Sequence, residues 1–147
     1  MASMVQGTAP AGLRNRRFDL LTLFVDDLPR MARFYRDTVG VPTPWDGAAP
    51  FAEFQHPGMR FALFPRKALH DALGVEATFP AGRNGTFALS LMFDDPTEVD
   101  AEFERLYDLG VPMVYGPRDE PWGVRSAMVQ DPEGNLIELG AWLPEAG

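Results

Sequence analysis

FDLLTLFVDDLPRMARFYRDTVGVP, residues Phe18 to Pro42, and FALSLMFDDPTEVDAEFERLYDLGVP, residues Phe87 to Pro112, carry one pattern twice. Each runs from an apolar stretch through Asp-Asp into a helix-like segment and closes on Gly-Val-Pro. The offset is 68 at the Asp pairs (Asp26 and Asp94) and 70 at the glycines (Gly40 and Gly110), so the second helix region is two residues longer. An internal repeat of this kind points to two copies of one supersecondary unit.

Local chemistry assigns the elements. In the first copy Asp27 can cap a helix, with Pro29 in the first turn, where a missing N–H costs nothing. Met31, Tyr35 and Val39 then share one face. Gly40 supplies a left-handed end and Pro42 blocks continuation. In the second copy Asp95 and Glu98 make a capping-box pattern, and Val99, Phe103, Leu106 and Tyr107 line one face before Gly110. Strands are expected at Phe51 to Gln55 and Met59 to Phe64, joined by His56-Pro57-Gly58. A second pair is expected at Val124 to Gln130 and Leu136 to Ala141, joined by Asp131-Pro132-Glu133-Gly134-Asn135. A further strand is expected around Val111 to Tyr115. The first strand of each copy has few polar positions on either face, which predicts cover on both sides. Leu21, Leu23 and Val25, like Leu89, Leu91 and Phe93, would pack on the helices.

The expected organisation is a flexible tail over 1–17 and one domain over 18–147, with module one at 18–65, a linker at 66–86 and module two at 87–143. The linker holds a possible short helix, Lys67 to Leu73. Asn84-Gly85-Thr86 reads as a turn. With 147 residues, 46% hydrophobic and 23% charged, the chain can bury a sizeable core. Its net charge of −8 argues against a nucleic-acid surface. It has no cysteine, which rules out disulfides and thiolate metal sites. No apolar run is long enough to span a bilayer. The expected setting is the cytoplasm.

Phe24-Val25-Asp26-Asp27 through Phe34-Tyr35-Arg36-Asp37-Thr38-Val39-Gly40-Val41, followed by the hairpin Asp131-Pro132-Glu133-Gly134-Asn135-Leu136-Ile137-Glu138-Leu139, resembles the vicinal oxygen chelate superfamily. That group includes glyoxalases, bleomycin-resistance proteins and extradiol dioxygenases. The resemblance covers about Phe18 to Trp142. It implies an α+β fold of two βαβββ modules forming a U-shaped mixed sheet around a central cavity, often completed in a homodimer. It also implies a divalent metal acting as a Lewis acid.

The four metal positions so implied are Leu20, Ala62, Ala88 and Glu138. Only Glu138 can donate, whereas stable sites need three or more protein donors. The two histidines, His56 and His70, fall at none of them. No metal and no other cofactor is therefore expected. Strand alternation puts Thr22 and Phe24 with Leu20, Arg60 and Phe64 with Ala62, Ser90 and Met92 with Ala88, and Leu136 and Gly140 with Glu138. That face suits a small, partly aromatic ligand. Pro121-Trp122-Gly123-Val124-Arg125 resembles a stretch near the ligand groove of bleomycin-resistance proteins. Trp122 could stack on a planar ligand, or be a core or interface aromatic. Arg125 could pair with an acidic ligand group or with Glu138.

The leading reading is a metal-free, homodimeric binding protein of resistance or sequestration type, with Glu138 as polar anchor. The competing reading is a lyase, isomerase or dioxygenase with a displaced metal, or one using Glu138 as catalytic base. A closed cavity, with the domain serving as a dimerising scaffold, is a third.

Overall fold

The computed structural model describes residues 12–145. The expected tail lies outside the described residues as far as residue 11, and residues 12–17 are exposed. Module one comprises β1 (Leu20–Val25), α1 (Leu28–Arg33), β2 (Ala52–Phe54) and β3 (Arg60–Pro65). The connection holds α2 (Arg66–Asp71). Module two comprises β4 (Asn84–Phe93), α3 (Pro96–Asp108), β5 (Met113–Asp119), β6 (Val124–Gln130) and β7 (Asn135–Trp142).

The class is α+β, with the expected curved sheet divided by hydrogen bonding into two mixed sheets. One has order β1-β3-β2 and the other β4-β7-β6-β5. In each, the first strand runs parallel to the last, with Thr22 opposite Ala62 and Ser90 opposite Glu138. Module one has three strands where module two has four. The segment of module one that matches β5 is held by only a few bonds: Gln55 N–H to the Pro42 carbonyl (2.9 Å) and the Thr43 hydroxyl to the Glu53 carbonyl (2.7 Å). The first has its copy in module two, where Gln130 N–H donates to the Pro112 carbonyl (3.0 Å).

The repeated helix of each module starts at its Asp. Asp95 and Glu98 of α3 close a reciprocal capping box. In α1, Asp27 accepts from Arg30 N–H (3.1 Å), but the residue three beyond the cap is Arg30 and cannot answer. Glu133 of module two answers instead. Its carboxylate accepts from Asp26 N–H (2.9 Å) and Asp27 N–H (2.8 Å). The capping box of α1 is thus split across the two modules, and a negative charge sits at the positive end of the helix.

Beyond Arg33 the helix widens into a π-helical turn, Phe34–Val39. The Tyr35 carbonyl accepts from both Gly40 N–H (3.1 Å) and Val41 N–H (2.9 Å), and Gly40 takes φ +94°. Met31 and Tyr35 are buried as expected. Val99 and Leu106 are buried in α3, but Tyr107 is 57% exposed. The buried stripe of α3 centres on Val99, Phe103 and Leu106, which leaves Tyr107 on the outer flank beside Asp100 and Met113.

One core spans both modules. Leu23, Val25, Met31, Tyr35, Phe54 and Leu63 join Val99, Leu106, Val129, Ile137 and Leu139 in it. Asp131, fully buried, ties the halves together. One carboxylate oxygen accepts from the Glu133 and Asn135 backbone N–H groups (both 2.9 Å). The other accepts from the Tyr35 hydroxyl (2.7 Å) and the Asn135 amide (2.9 Å). The strand β4 starts at Asn84, where a turn is expected. Its N–H donates to the Gly134 carbonyl (2.8 Å) and its buried side-chain amide to Asn135 Oδ1 (3.1 Å), which extends the ladder back past Phe87. Gly134 itself is required: φ is +87°, and a Cβ there would meet the Gly82 carbonyl oxygen at 2.1 Å.

Burial, and after it the charge of Asp131, pushes the Tyr35 phenol well above its ordinary range. The unfolded chain therefore loses this proton first, near pH ~10, and stability falls as pH rises beyond that point. Tyr35→Phe is expected to cost about 1–3 kcal/mol at neutral pH by leaving Asp131 short of a donor. It should also remove the Tyr35 share of the alkaline loss, both read from urea unfolding across pH.

Candidate functional site

Alternation along β4, β6 and β7 gathers polar side chains on the sheet face turned away from the core. Glu138 faces Ser90 across the parallel pair and Met128 across the antiparallel pair. The Ser90 hydroxyl donates to Glu138 Oε1 (2.6 Å), and the Ser126 hydroxyl donates to Oε2 (2.8 Å). Tyr115 of β5 lies 2.6 Å from Ser126 Oγ. A hydroxyl has one hydrogen. With Ser126 spending its hydrogen on Glu138, Tyr115 is the donor to Ser126. The chain therefore runs one way, Tyr115 to Ser126 to Glu138, with Ser90 donating from the other side. Both oxygens of Glu138 thus act as acceptors.

Met92 and Trp142 flank this group on the same face, 47% and 67% exposed. Met92 lies over Gly140, where a Cβ would come within 3.0 Å of its sulfur. On the three-stranded sheet, Thr22, Phe24 and Phe64 share a face with the buried Ala62. Phe64 stacks on Phe51 (centroids 5.4 Å, planes 9° apart) and tilts against Phe24 (6.5 Å). Arg60 on that face is held by Asp19 (2.7 Å) and Glu53 (2.5 Å). The sequence-predicted residues thus fall into two groups. One is aromatic, on β1 and β3. The other is polar, on β4 and β7.

Two predicted residues lie elsewhere. Trp122 is 67% exposed in the turn before β6, which rules out a core role. Arg125 does not pair with Glu138. It points to the helix side and is clamped by Asp100 of α3 (2.6 and 2.8 Å) and by Asp119 (2.8 Å). The cause is strand parity: Met128 faces Glu138, and Arg125, an odd number of residues away, takes the opposite face.

A cavity of about 380 Å³ lies in the seam between β1 and β4, the edge strands that open the two sheets. Leu21, Phe61, Phe87, Leu89 and Val39 give it apolar walls, and Arg60 and Ser90 reach it from the predicted set. A smaller space of about 200 Å³ adjoins it, with Met92 in its lining. His56, in the turn that matches the Asp131 turn, borders both.

The implied metal can be tested on its donors. Leu20, Ala62 and Ala88 offer none, and Glu138 has its oxygens engaged by two hydroxyls. Among the described residues no three His, Cys, Asp or Glu side chains come together. This donor set does not fit a catalytic divalent ion. Sequence reasoning misses Ser126 and Tyr115. Counting back from the Asp131 turn would place Ser126 on the Glu138 face. Tyr115 carries no such signal, because β5 pairs with irregular register.

Residues 17–139 match the family described as Glyoxalase/Bleomycin resistance protein/Dioxygenase superfamily. The chain is similar to the uncharacterised protein YraH of Bacillus subtilis strain 168, with 29% identity over 122 residues, 81% of this chain and 93% of that one. A crystal structure of a glyoxalase/bleomycin resistance protein/dioxygenase from Nocardioides superposes with TM-score 0.74 at 29% identity, covering 89% of each chain. A glyoxalase-related enzyme from Fulvimarina pelagi gives TM-score 0.73 at 27% identity, covering 86% of this chain and 88% of that one.

The Arg125 hydrogen bond and charge hold the Asp100 carboxyl below the usual range, against a smaller opposing effect of burial. A depressed carboxyl stabilises the fold above its unfolded pKa, near ~3.9, and that stabilisation is lost as pH falls through the folded value. Arg125→Met should return the Asp100 titration toward normal, as followed by carboxyl NMR. The accompanying change in stability should be small, because Asp100 is half-exposed.

Proposed function

Because the chain belongs to the Glyoxalase/Bleomycin resistance protein/Dioxygenase superfamily, we propose that it binds a small, partly aromatic molecule without a metal, as a sequestering or resistance-type protein. The observation that carries this reading is the donor count. Three of the four family metal positions are Leu20, Ala62 and Ala88, and the fourth, Glu138, is engaged by Ser90 and Ser126. A face with one carboxylate, three hydroxyls and nearby aromatic and Met side chains has the makeup of a ligand surface.

The ligand site would be completed by a second copy of the chain. The two predicted groups lie on separate sheets, and the polar links between modules, Glu133 to Asp26 and Tyr35 to Asp131, belong to the helix side. Both outer faces carry apolar groups in water: Leu20, Phe51, Met92 and Trp142 are each more than 40% exposed. Exposed apolar area of this kind marks an interface. In the dimer, the aromatic face of one copy would cover the Glu138 face of the other.

A second reading is favoured by the likeness to the glyoxalase-related enzyme from Fulvimarina pelagi. In it the protein is a lyase, isomerase or dioxygenase, and Glu138 takes a proton from the substrate. The Ser90 and Ser126 hydroxyls would hold the carboxylate in position. No step through a metal follows from this donor set.

Two measurements test the main reading. Calorimetric titration of metal-stripped protein with Ni²⁺, Mn²⁺ and Fe²⁺ is expected to show no stoichiometric site, and a one-per-chain site would overturn the metal-free reading. Light scattering coupled to gel filtration is expected to give a dimer. Leu20→Glu, placed on the apolar face, should shift it to monomer and abolish the melting shifts that ligands in a thermal screen produce.

A further inference from the structure

We propose that the ligand presents a cationic, N–H-bearing group to Glu138, next to an apolar or aromatic body. The inference rests on the binding reading above and names the chemistry of that site.

Its basis is an imbalance of charge on the Glu138 face. The hydroxyls of Ser90 and Ser126 solvate the carboxylate but do not neutralise it. Tyr115 donates to Ser126, which leaves the Ser126 hydrogen, like that of Ser90, aimed at Glu138. Among the described residues no ion pair includes Glu138. The nearest arginine in sequence, Arg125, is consumed by Asp100 and Asp119 on the other side of the sheet. Arg60, on the opposing aromatic face, is consumed by Asp19 and Glu53. Arg118, opposite Ser126 and over the Tyr115 ring at 3.9 Å, is engaged by Glu120. The site is therefore a carboxylate with its hydrogen-bonding geometry set and no ion-pair partner among the described residues.

Covering that face with an apolar surface would bury the charge, which is costly unless a partner arrives with the cover. An ammonium, amidinium or guanidinium group supplies that partner. Each carboxylate oxygen accepts one hydroxyl and has a lone pair left for a charge-assisted bond. A neutral alcohol leaves the charge unpaired, and a ligand carboxylate adds repulsion. The chain's net charge of −8 also draws cations toward it. Met92 fills the space over Gly140, so the side of the carboxylate left to a bulky amine is that of Ala88, which is exposed and carries a single methyl.

The test uses three probes of one shape, naphthylmethylamine, naphthylmethanol and naphthoate, titrated into the full-length protein by calorimetry at neutral pH. The amine is expected to bind at least about tenfold more tightly than the alcohol, a margin of roughly 1.4 kcal/mol, and naphthoate most weakly. Added salt should weaken the amine and leave the alcohol unchanged. Glu138→Gln should reduce the amine to the affinity of the alcohol. Equal or better binding of the alcohol or naphthoate to the native protein overturns the proposal while leaving the binding reading intact. So does an amine preference that survives in folded Glu138→Gln. Binding of none of the three, with no compound of any charge shifting the melting temperature, overturns the binding reading and this inference together. If Glu138→Gln fails to fold, the ranking and salt response of the native protein decide.

Discussion

A fully buried carboxylate must be given donors for both oxygens or it will not stay buried. Asp131 meets that demand with four donors, and one of them, the Tyr35 hydroxyl, comes from the other module. The same turn sends Glu133 to the start of α1. A five-residue corner thus fixes the angle between the sheets. The rest of the structure follows from it. Once the helix sides are joined at this corner, the two outer faces are turned away from the joint core, and any cover for them would have to come from outside the described residues.

The repeat is legible in the sequence because each copy carries its own start and stop chemistry. Asp27 and Asp95 open helices, Gly40 and Gly110 close them, and Pro42 and Pro112 sit in matching bonds beyond them. The positions of the strands are legible for the same reason. What is hidden depends on pairing between distant parts. Nothing near Asp27 reveals that its capping partner is Glu133, more than a hundred residues away. The division into two sheets is also hidden, since alternation assigns faces within a strand and not neighbours between strands. Of the site, the faces of Glu138 and Ser90 are legible from alternation, whereas the bond between the two side chains is seen only in the structure. Arg125 is misjudged because its neighbourhood in sequence to Trp122 suggests a shared groove, while parity sends it to α3.

The site also illustrates how this fold separates stability from binding. The polar groups that hold the modules, Asp131, Tyr35 and Glu133, lie on the core side or at the corner. The groups proposed to meet a ligand, Glu138, Ser90 and Ser126, lie on the other side of the same strands. Leu20, Ala62 and Ala88 leave the implied metal positions without donors, and none of them takes part in the bonds of the joint. The fold can therefore keep its architecture while its chemistry changes.

The contact between Gly82 and Gly134 bears on where the chain tolerates foreign sequence. The backbone bonds that close α2 end at Val75, and residues 76–78 are exposed and contribute no strand, so added length there costs mainly a slowly growing loop-closure entropy. From Phe79 onward the connection is committed. Phe79 lies under the Arg66 guanidinium at 4.7 Å, the Gly82 carbonyl fills the space a side chain would need at Gly134, and Asn84 is bonded into the corner. A fluorescent or affinity insert belongs between Val75 and Phe79, after the bonds that close α2. Beyond Phe79 it would pry open the corner that orients the two sheets.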